Sequence, residues 1–341
     1  MKVAFFVCFV VVVCISGIGC LPYSFKPLES ADQDRVRPVV GIMSQEPSSQ
    51  CEDYNNATSY IAASYVKYVE SAGARVVPLR YTDSFETLGS MMDKINGVIL
   101  PGGGTPLLIE EGEQRQWNAD IIFDEAYTQY MNAVAFIVQV AKSKNDQGTY
   151  FPVLGICLGL QSMILAEINT KEIEHSDSTN ERVSQNFVNR DQSRWFSTLP
   201  EDLVELAQNT ELVYENHHDC YTTQYWNDHT ELGDTYFLTS VAYDDEGLEY
   251  VNAIEGITYP FYAVQYHPEK VQFEWRASSD FPHDIDSLRY SSFIALKFGS
   301  EIRKNSQTFE SENEENEAMI YNTPILFSAT GYYFELYCFD S

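Results

Sequence analysis

Cys157 lies at the centre of Gly155-Ile156-Cys157-Leu158-Gly159, between the apolar run Phe151 to Ile156 and a second, helix-like apolar run. Small-x-nucleophile-x-small between a strand and a helix is the pattern of a nucleophile elbow, here with Cys in place of Ser. The tight turn forces the nucleophile into a strained backbone conformation, and a side chain at either flanking position would clash, hence Gly155 and Gly159. The turn sets the sulfur at a helix N-terminus, where the dipole favours thiolate over thiol. It also turns the Leu158 N–H toward the space where an oxyanion would form. A thiolate needs a proton carrier. Phe261, Ala263, Gln265 and His267 share one face of the strand-like FYAVQYH, and His267 ends it just before Pro268. Pro268 cannot extend the ladder and restricts the backbone of His267. Glu269, two residues on, is in place to orient and charge-stabilise the imidazole. Alone, His-Pro-Glu reads as a strand end; beside an elbow it supplies the base. The third candidate is the run Asn96 to Gly104, which passes from a strand into Pro101-Gly102-Gly103-Gly104. It lacks the Gly-Lys-Ser/Thr of a phosphate loop and the third glycine of a dinucleotide site. Bare amides beside a strand end suit an oxyanion hole instead.

These residues need a scaffold. Strands are expected over 36–43, 74–79, 97–100 and 151–156, and helices over 57–72, 84–94, 117–142 and 287–304. Strands alternating with helices make an α/β fold: a mainly parallel central sheet with helices on both faces. Sites in such sheets gather at the carboxyl ends of the strands, where both the elbow and the glycine loop fall. Residues 170–230 are polar and give no clear element. From 235 onward YFLTSVAY, LEYVNAIE and FYAVQYH suggest antiparallel strands or a sheet edge. The acidic stretch 310–317 reads as a solvated helix face or linker, followed by an aromatic tail ending at Ser341.

The chain has 341 residues, with 21 Lys and Arg against 50 Asp and Glu, a formal charge of −29. No basic stripe stands out, so nucleic-acid binding has no electrostatic footprint. Lys2, the apolar run Val3 to Ile15 and the small residues Ser16, Gly17 and Gly19 make 1–20 a secretory signal, shorter than a membrane span needs. The mature chain, 21–341, is then one domain with no membrane segment, secreted or delivered to a lysosome or vacuole. In that compartment Asn56-Ala57-Thr58 is an N-glycosylation sequon at Asn56. Cys51, Cys157, Cys220 and Cys338 remain after cleavage, with room for one disulfide among Cys51, Cys220 and Cys338 and a free Cys157. No C-x-x-C pair suggests zinc, and neither a metal nor a cofactor is expected.

YIAASYVKYVESAGARVVPL (60–79), INGVILPGGG (95–104), FPVLGICLG (151–159), YPFYAVQYHPEK (259–270) and NEAMIYNTPI (316–325) span nearly the whole mature chain. Together they resemble the γ-glutamyl hydrolases (folylpoly-γ-glutamate carboxypeptidases) of the class I glutamine-amidotransferase-like superfamily. The resemblance implies Cys157 as nucleophile, His267 as base and acid, Glu269 as third member, and Gly103 as an oxyanion amide. Asn216 and His218 resemble a family segment near the substrate and are carried over as substrate contacts. Read by themselves, the adjacent histidines 217 and 218 point apart and make a poor metal pair. Many members carry Glu four residues after the catalytic Cys, where this chain has Gln161. The resemblance also implies a homodimer.

The chemistry so implied is hydrolysis of γ-glutamyl amides of folate and antifolate poly-γ-glutamates through a thioester at Cys157. Those substrates are polyanions, so a −29 chain must offset its own field with local Lys or Arg, or by acidic pH. Two alternatives stand beside it. A glutaminase subunit would need a synthase partner and a reducing compartment, and a silent binding protein would not need the intact Cys157, His267 and Glu269.

Overall fold

The computed structural model describes residues 37–51, 56–109, 123–168, 173–328 and 331–340. The secretory segment 1–20 lies outside them.

Five strands form the parallel part of the main sheet: β1 (Val39–Met43), β3 (Arg75–Leu79), β4 (Gly97–Leu100), β5 (Val153–Ile156) and β11 (Phe261–Val264). Three more complete its eight-stranded order, β3-β1-β4-β5-β11-β10-β9-β7. These are β7 (Asn186–Phe187), β9 (Tyr236–Tyr243) and β10 (Glu249–Gly256), all antiparallel to their neighbours. The mainly parallel sheet with antiparallel strands at one edge is as expected, except that FYAVQYH supplies β11, which lies parallel to β5 inside the sheet and not at its edge. β2 (Ser59–Ala62) lies outside this sheet.

Alternation explains why the inner parallel strands are apolar. Val40, Ile42, Ile99, Leu154 and Ile156 point into one core, while Val39, Met43, Val98, Leu100 and Val153 point into another. A strand covered on both faces has no polar side to show. The first core is closed by α1 (Ala63–Ser71) and α9 (Ile285–Ile302), through Tyr68, Val69, Ile294 and Phe298. The second is closed by α3 (Gln129–Asp146) and α4 (Leu158–Ile168), through Tyr130, Val134, Leu160 and Met163. The short α2 (Phe85–Met92) buries Leu88 and Met92 in the same layer, and Ser84 caps it by accepting from Thr87 N–H.

Two expected helices change. The helix expected over 57–72 starts only at Ala63, because 59–62 forms β2, which pairs with the C-terminal strand β13 (Glu335–Phe339). The helix expected over 117–142 runs from Gln129 to Asp146, capped by Thr128; 110–122 lies outside the described residues. The acidic run forms α10 (Glu312–Ala318), the solvated helix face of the two readings, with no buried residue and with Glu312, Glu314 and Glu315 facing Arg37, Lys94 and Arg75. In the unassigned middle, β6 (Glu174–Val183) and β8 (Val213–Cys220) pair antiparallel, and α5 (Glu201–Asn209), α6 (Thr223–Asp228) and α7 (Leu232–Thr235) occupy the connections. The last helix to be named, α8 (Pro268–Phe273), leaves the end of β11.

The aromatic tail forms a hairpin of β12 (Ile325–Phe327) and β13, and Cys338 closes a disulfide with Cys51. Cys220 and Cys157 are free and buried. No helix among the described residues is long and apolar enough to cross a membrane.

Candidate active site

β4, β5 and β11 are adjacent, and each ends at its carboxyl end in one part of the site. β5 runs into the elbow. Cys157 takes φ +54°, the left-handed region that a β-carbon resists, at a cost of about 1 kcal/mol or more. Its N–H donates to Val264 O (2.8 Å), and its carbonyl accepts from Leu160 N–H (2.9 Å), which starts α4. A β-carbon on Gly159 would stand 2.0 Å from Leu100 O, so only glycine lets β4 and α4 approach. The two flanking glycines are required as the elbow pattern predicts.

β11 delivers the base. Gln265 N–H donates to Asn252 O (2.7 Å) and His267 N–H to Tyr214 O (2.8 Å), after which Pro268 opens α8. The His267 Nδ1 lies 2.8 Å from Glu269 Oε1, with both residues buried. With Glu269 ionised, Nδ1 carries the proton and donates, which leaves Nε2 as the acceptor. Nε2 is buried and has no hydrogen-bond partner among the described residues. The His267 ring and the Cys157 side chain flank one point: a β-carbon on Gly102 would meet His267 Cε1 at 2.6 Å and Cys157 Cβ at 3.0 Å.

β4 supplies the glycine loop. Gly102 N–H donates to Tyr65 Oη (2.8 Å), and that hydroxyl lies 3.5 Å from His267 Nδ1. Gly102 is thus committed to holding the loop. Gly103 N–H makes no hydrogen bond among the described residues and lines the cavity with Cys157 and Leu158. A side chain on Gly103 would overlap Gln45, whose amide donates to Pro101 O (3.3 Å) and accepts from Thr105 Oγ1 (3.0 Å).

The ionisation differs from the sequence expectation. Burial pushes the Cys157 thiol up to about 12; Lys270 and the Leu158 amide pull it down, and Glu215 and Glu269 push it further up. Burial also drives His267 down to about 4, helped by Lys270 and opposed by Glu269. The helix dipole favours thiolate, but desolvation of a fully buried sulfur outweighs it. Burial thus disfavours both the thiolate and the imidazolium in the substrate-free site. Gln265 Nε2, 3.6 Å from Sγ, is the side-chain donor facing the sulfur.

The cavity has a volume of about 970 Å³. Asn216, His217 and His218 all line it from β8. Asn216 Oδ1 accepts from Asn180 N–H (3.2 Å) and its amide donates to Tyr332 Oη. His218 is exposed, with Nδ1 3.1 Å from Thr179 Oγ1. His217 is buried between Ser176 Oγ (3.0 Å) and Glu215 (3.3 Å). Adjacent histidines diverge as their spacing requires, and the described residues hold no cluster suited to a metal. Gln161 donates to Asp219 O (2.7 Å), tying α4 to β8, a bond that Glu at this position could not donate. Lys270, Arg276, Tyr332 and Tyr333 also line the cavity and were not singled out from sequence. Lys270 could have been: it stands three residues after His267 on the first turn of α8, hence on the same side.

The model of the Peptidase C26 family matches residues 38–269, a span that holds Gly103, Cys157, Leu158 and His267 and ends on Glu269. The chain belongs to the Peptidase C26 family. Its relatives include a rat protein named gamma-glutamyl hydrolase, 36% identical over 86% of this chain and 86% of its own. A human protein of the same name is 30% identical over 89% of this chain and 90% of its own. Gamma-glutamyl hydrolase 2 of Arabidopsis thaliana is 32% identical over 88% and 82%.

Proposed function

We propose that this Peptidase C26 member hydrolyses γ-glutamyl amide bonds, with folate and antifolate poly-γ-glutamates as its substrates. The observation that carries the reading is the unpartnered Nε2 of a His267 whose other nitrogen is bound to Glu269, in a ring that flanks Cys157.

Cys157 Sγ attacks the γ-carbonyl carbon as its proton passes to His267 Nε2. Because burial disfavours both charged forms beforehand, attack and proton transfer are coupled and the ion pair forms only as the substrate arrives. The oxyanion receives the N–H groups of Leu158 and Gly103. His267 then protonates the departing amine, the C–N bond breaks, and a γ-glutamyl thioester remains on Cys157. Water gives a proton to Nε2 and attacks the thioester carbonyl; the thiolate leaves and recovers that proton. Asn216 and His218 line the side of the cavity along which the substrate lies. A space of about 970 Å³ exceeds what one glutamine side chain needs, which favours an extended substrate over a glutaminase.

The buried Cys51–Cys338 disulfide and the exposed turn at Asn56 suit a secreted or lysosomal protein, glycosylated at Asn56. The test of activity is release of glutamate from a γ-linked glutamyl peptide. The Cys157→Ala substitution should abolish it. Turnover by Cys157→Ala at the wild-type rate sinks the mechanism, and cleavage of free glutamine but of no γ-glutamyl peptide returns the glutaminase.

A further inference from the structure

In a chain with 50 acidic and 21 basic residues, cations are readily paired. Lys67, Arg75 and Lys142 each face a carboxylate. Two cations at the cavity do not. Lys270 is 3% exposed, yet its ammonium makes no ion pair among the described residues. Its hydrogen bond goes to Tyr332 Oη (3.3 Å), and it stands 5.7 Å from the centroid of the Tyr214 ring. Arg276, half-buried farther along the chain from the base, likewise makes no ion pair among the described residues. The buried carboxylates of Glu269 and Glu274 act on the Lys270 ammonium through space, but neither makes a contact ion pair with it, and neutral rings stand in the contact positions. An arrangement of this kind is completed by an anion from outside.

Tyr332 organises the pair. Lys270 Nζ and Arg276 Cζ stand 5.1 and 5.6 Å from the centroid of its ring. Its hydroxyl accepts from both Lys270 and Asn216, so its own proton is directed elsewhere. Lys270 lies deeper: its charge acts on both Cys157 and His267. Arg276 is less buried than Lys270 and lines the cavity with Ser278 and Ser279. A γ-linked glutamyl chain carries one α-carboxylate per residue, repeating at about 6 Å when extended, from five backbone bonds per residue against three in an ordinary peptide. Two cations at 5.1 and 5.6 Å from one ring centroid stand at most about 11 Å apart, a span that the repeat with a hydrogen-bond reach at each end can bridge.

We propose that Lys270 and Arg276 form a two-step anion ladder for the α-carboxylates of successive γ-linked glutamyl residues, Lys270 holding the residue next to the scissile amide and Arg276 its neighbour. The ladder rests on the γ-glutamyl reading above and adds to it the feature that sets chain-length preference. Tyr332 positions both cations, and Asn216 holds Tyr332.

The test compares kcat/KM on a di- and a tri-γ-glutamyl peptide, and on a dipeptide whose α-carboxylate nearest the scissile bond is a carboxamide. Lys270→Met keeps the apolar stem and should cost about 10–100-fold on the carboxylate dipeptide, but much less on the carboxamide. Arg276→Gln should lower the tri-to-di ratio of kcat/KM by about 10-fold, whereas Lys270→Met should leave that ratio near the wild-type value. Equal losses on carboxylate and carboxamide, or a tri-to-di ratio untouched by Arg276→Gln, overturn the ladder even if the hydrolase reading holds. Calorimetry with the tri-γ-glutamyl peptide on Cys157→Ala reads the ladder without turnover. There Arg276→Gln should weaken binding about 10-fold, and unchanged affinity contradicts the proposal whether or not wild type cleaves the peptide.

Discussion

Replacing Glu269 by Gln removes a charge while nearly preserving shape, at a place where that charge has a specific task. Glu269 Oε1 lies 2.8 Å from His267 Nδ1, Glu269 is 0% exposed and His267 is 1% exposed. Burial disfavours a protonated His267, and Glu269 is the group that opposes this. At a charge separation of ~4 Å and an effective dielectric of ~20, a carboxylate stabilises an imidazolium by about 4 kcal/mol. The imidazolium exists after proton transfer and not in the resting site, so this stabilisation is withdrawn from the transition state. At 1.36 kcal/mol per decade, kcat should fall roughly 10³-fold. KM should change little, because Glu269 is buried behind the ring rather than on the cavity wall. The assay is steady-state glutamate release from a γ-glutamyl dipeptide, with melting temperature as the check on folding. A fall of less than about 10-fold in a folded variant refutes the reasoning, since the carboxylate would then carry no catalytic charge stabilisation.

The same geometry makes other outcomes testable. His267 must be neutral to accept the thiol proton, and with its pKa lowered to about 4 the acid limb of kcat/KM should lie near pH 4. A limb near pH 6.5 in the rate profile would mean that His267 is solvated. Gly103→Ala should cost at least 10²-fold in kcat, as its β-carbon would stand 1.8 Å from Gln45 Oε1 and displace the loop; near-wild-type kcat removes Gly103 from the oxyanion hole. Cys51→Ser should lower stability by about 2–5 kcal/mol and Tm by about 3–8 °C in a thermal scan, because the disulfide closes a loop of 287 residues in sequence; an unchanged Tm would show that the hairpin is held without it. Gln161→Glu loses the donor to Asp219 O and should lower Tm by about 1–4 °C.

Much of this site is visible in sequence for a physical reason. Strands buried on both faces must be apolar, so β4 and β5 read as short uniform runs, each bounded by a tight turn at its carboxyl end, whereas the alternation of β11 suggests an edge strand. Gly102 to Gly104, the elbow and His-Pro-Glu stand out because close approach or fixed backbone restricts their residue types. Where two periods fit, the reading fails: Tyr60 and Ile61 suit a helix face as well as β2, and only the distant β13 decides. Strands β6 and β8 carry polar residues at both phases and shift register twice, so no alternation marks them. The disulfide partner of Cys51 is likewise set by the β2–β13 pairing and not by spacing. Arg276 looks like any solvated charge until the C-terminal hairpin brings Tyr332 beside it. Desolvation is hidden in the same way, which is why the helix dipole suggested a thiolate that burial suppresses.

The central claim is that Cys157 becomes acylated by a γ-glutamyl group, and trapping that intermediate tests it most directly. A γ-glutamyl peptide mixed with the protein and quenched in acid within one turnover should leave a thioester, found by peptide mass spectrometry on the segment containing Cys157 and removed by hydroxylamine. Turnover with Cys157 unmodified, or with the acyl group on another residue, contradicts the account.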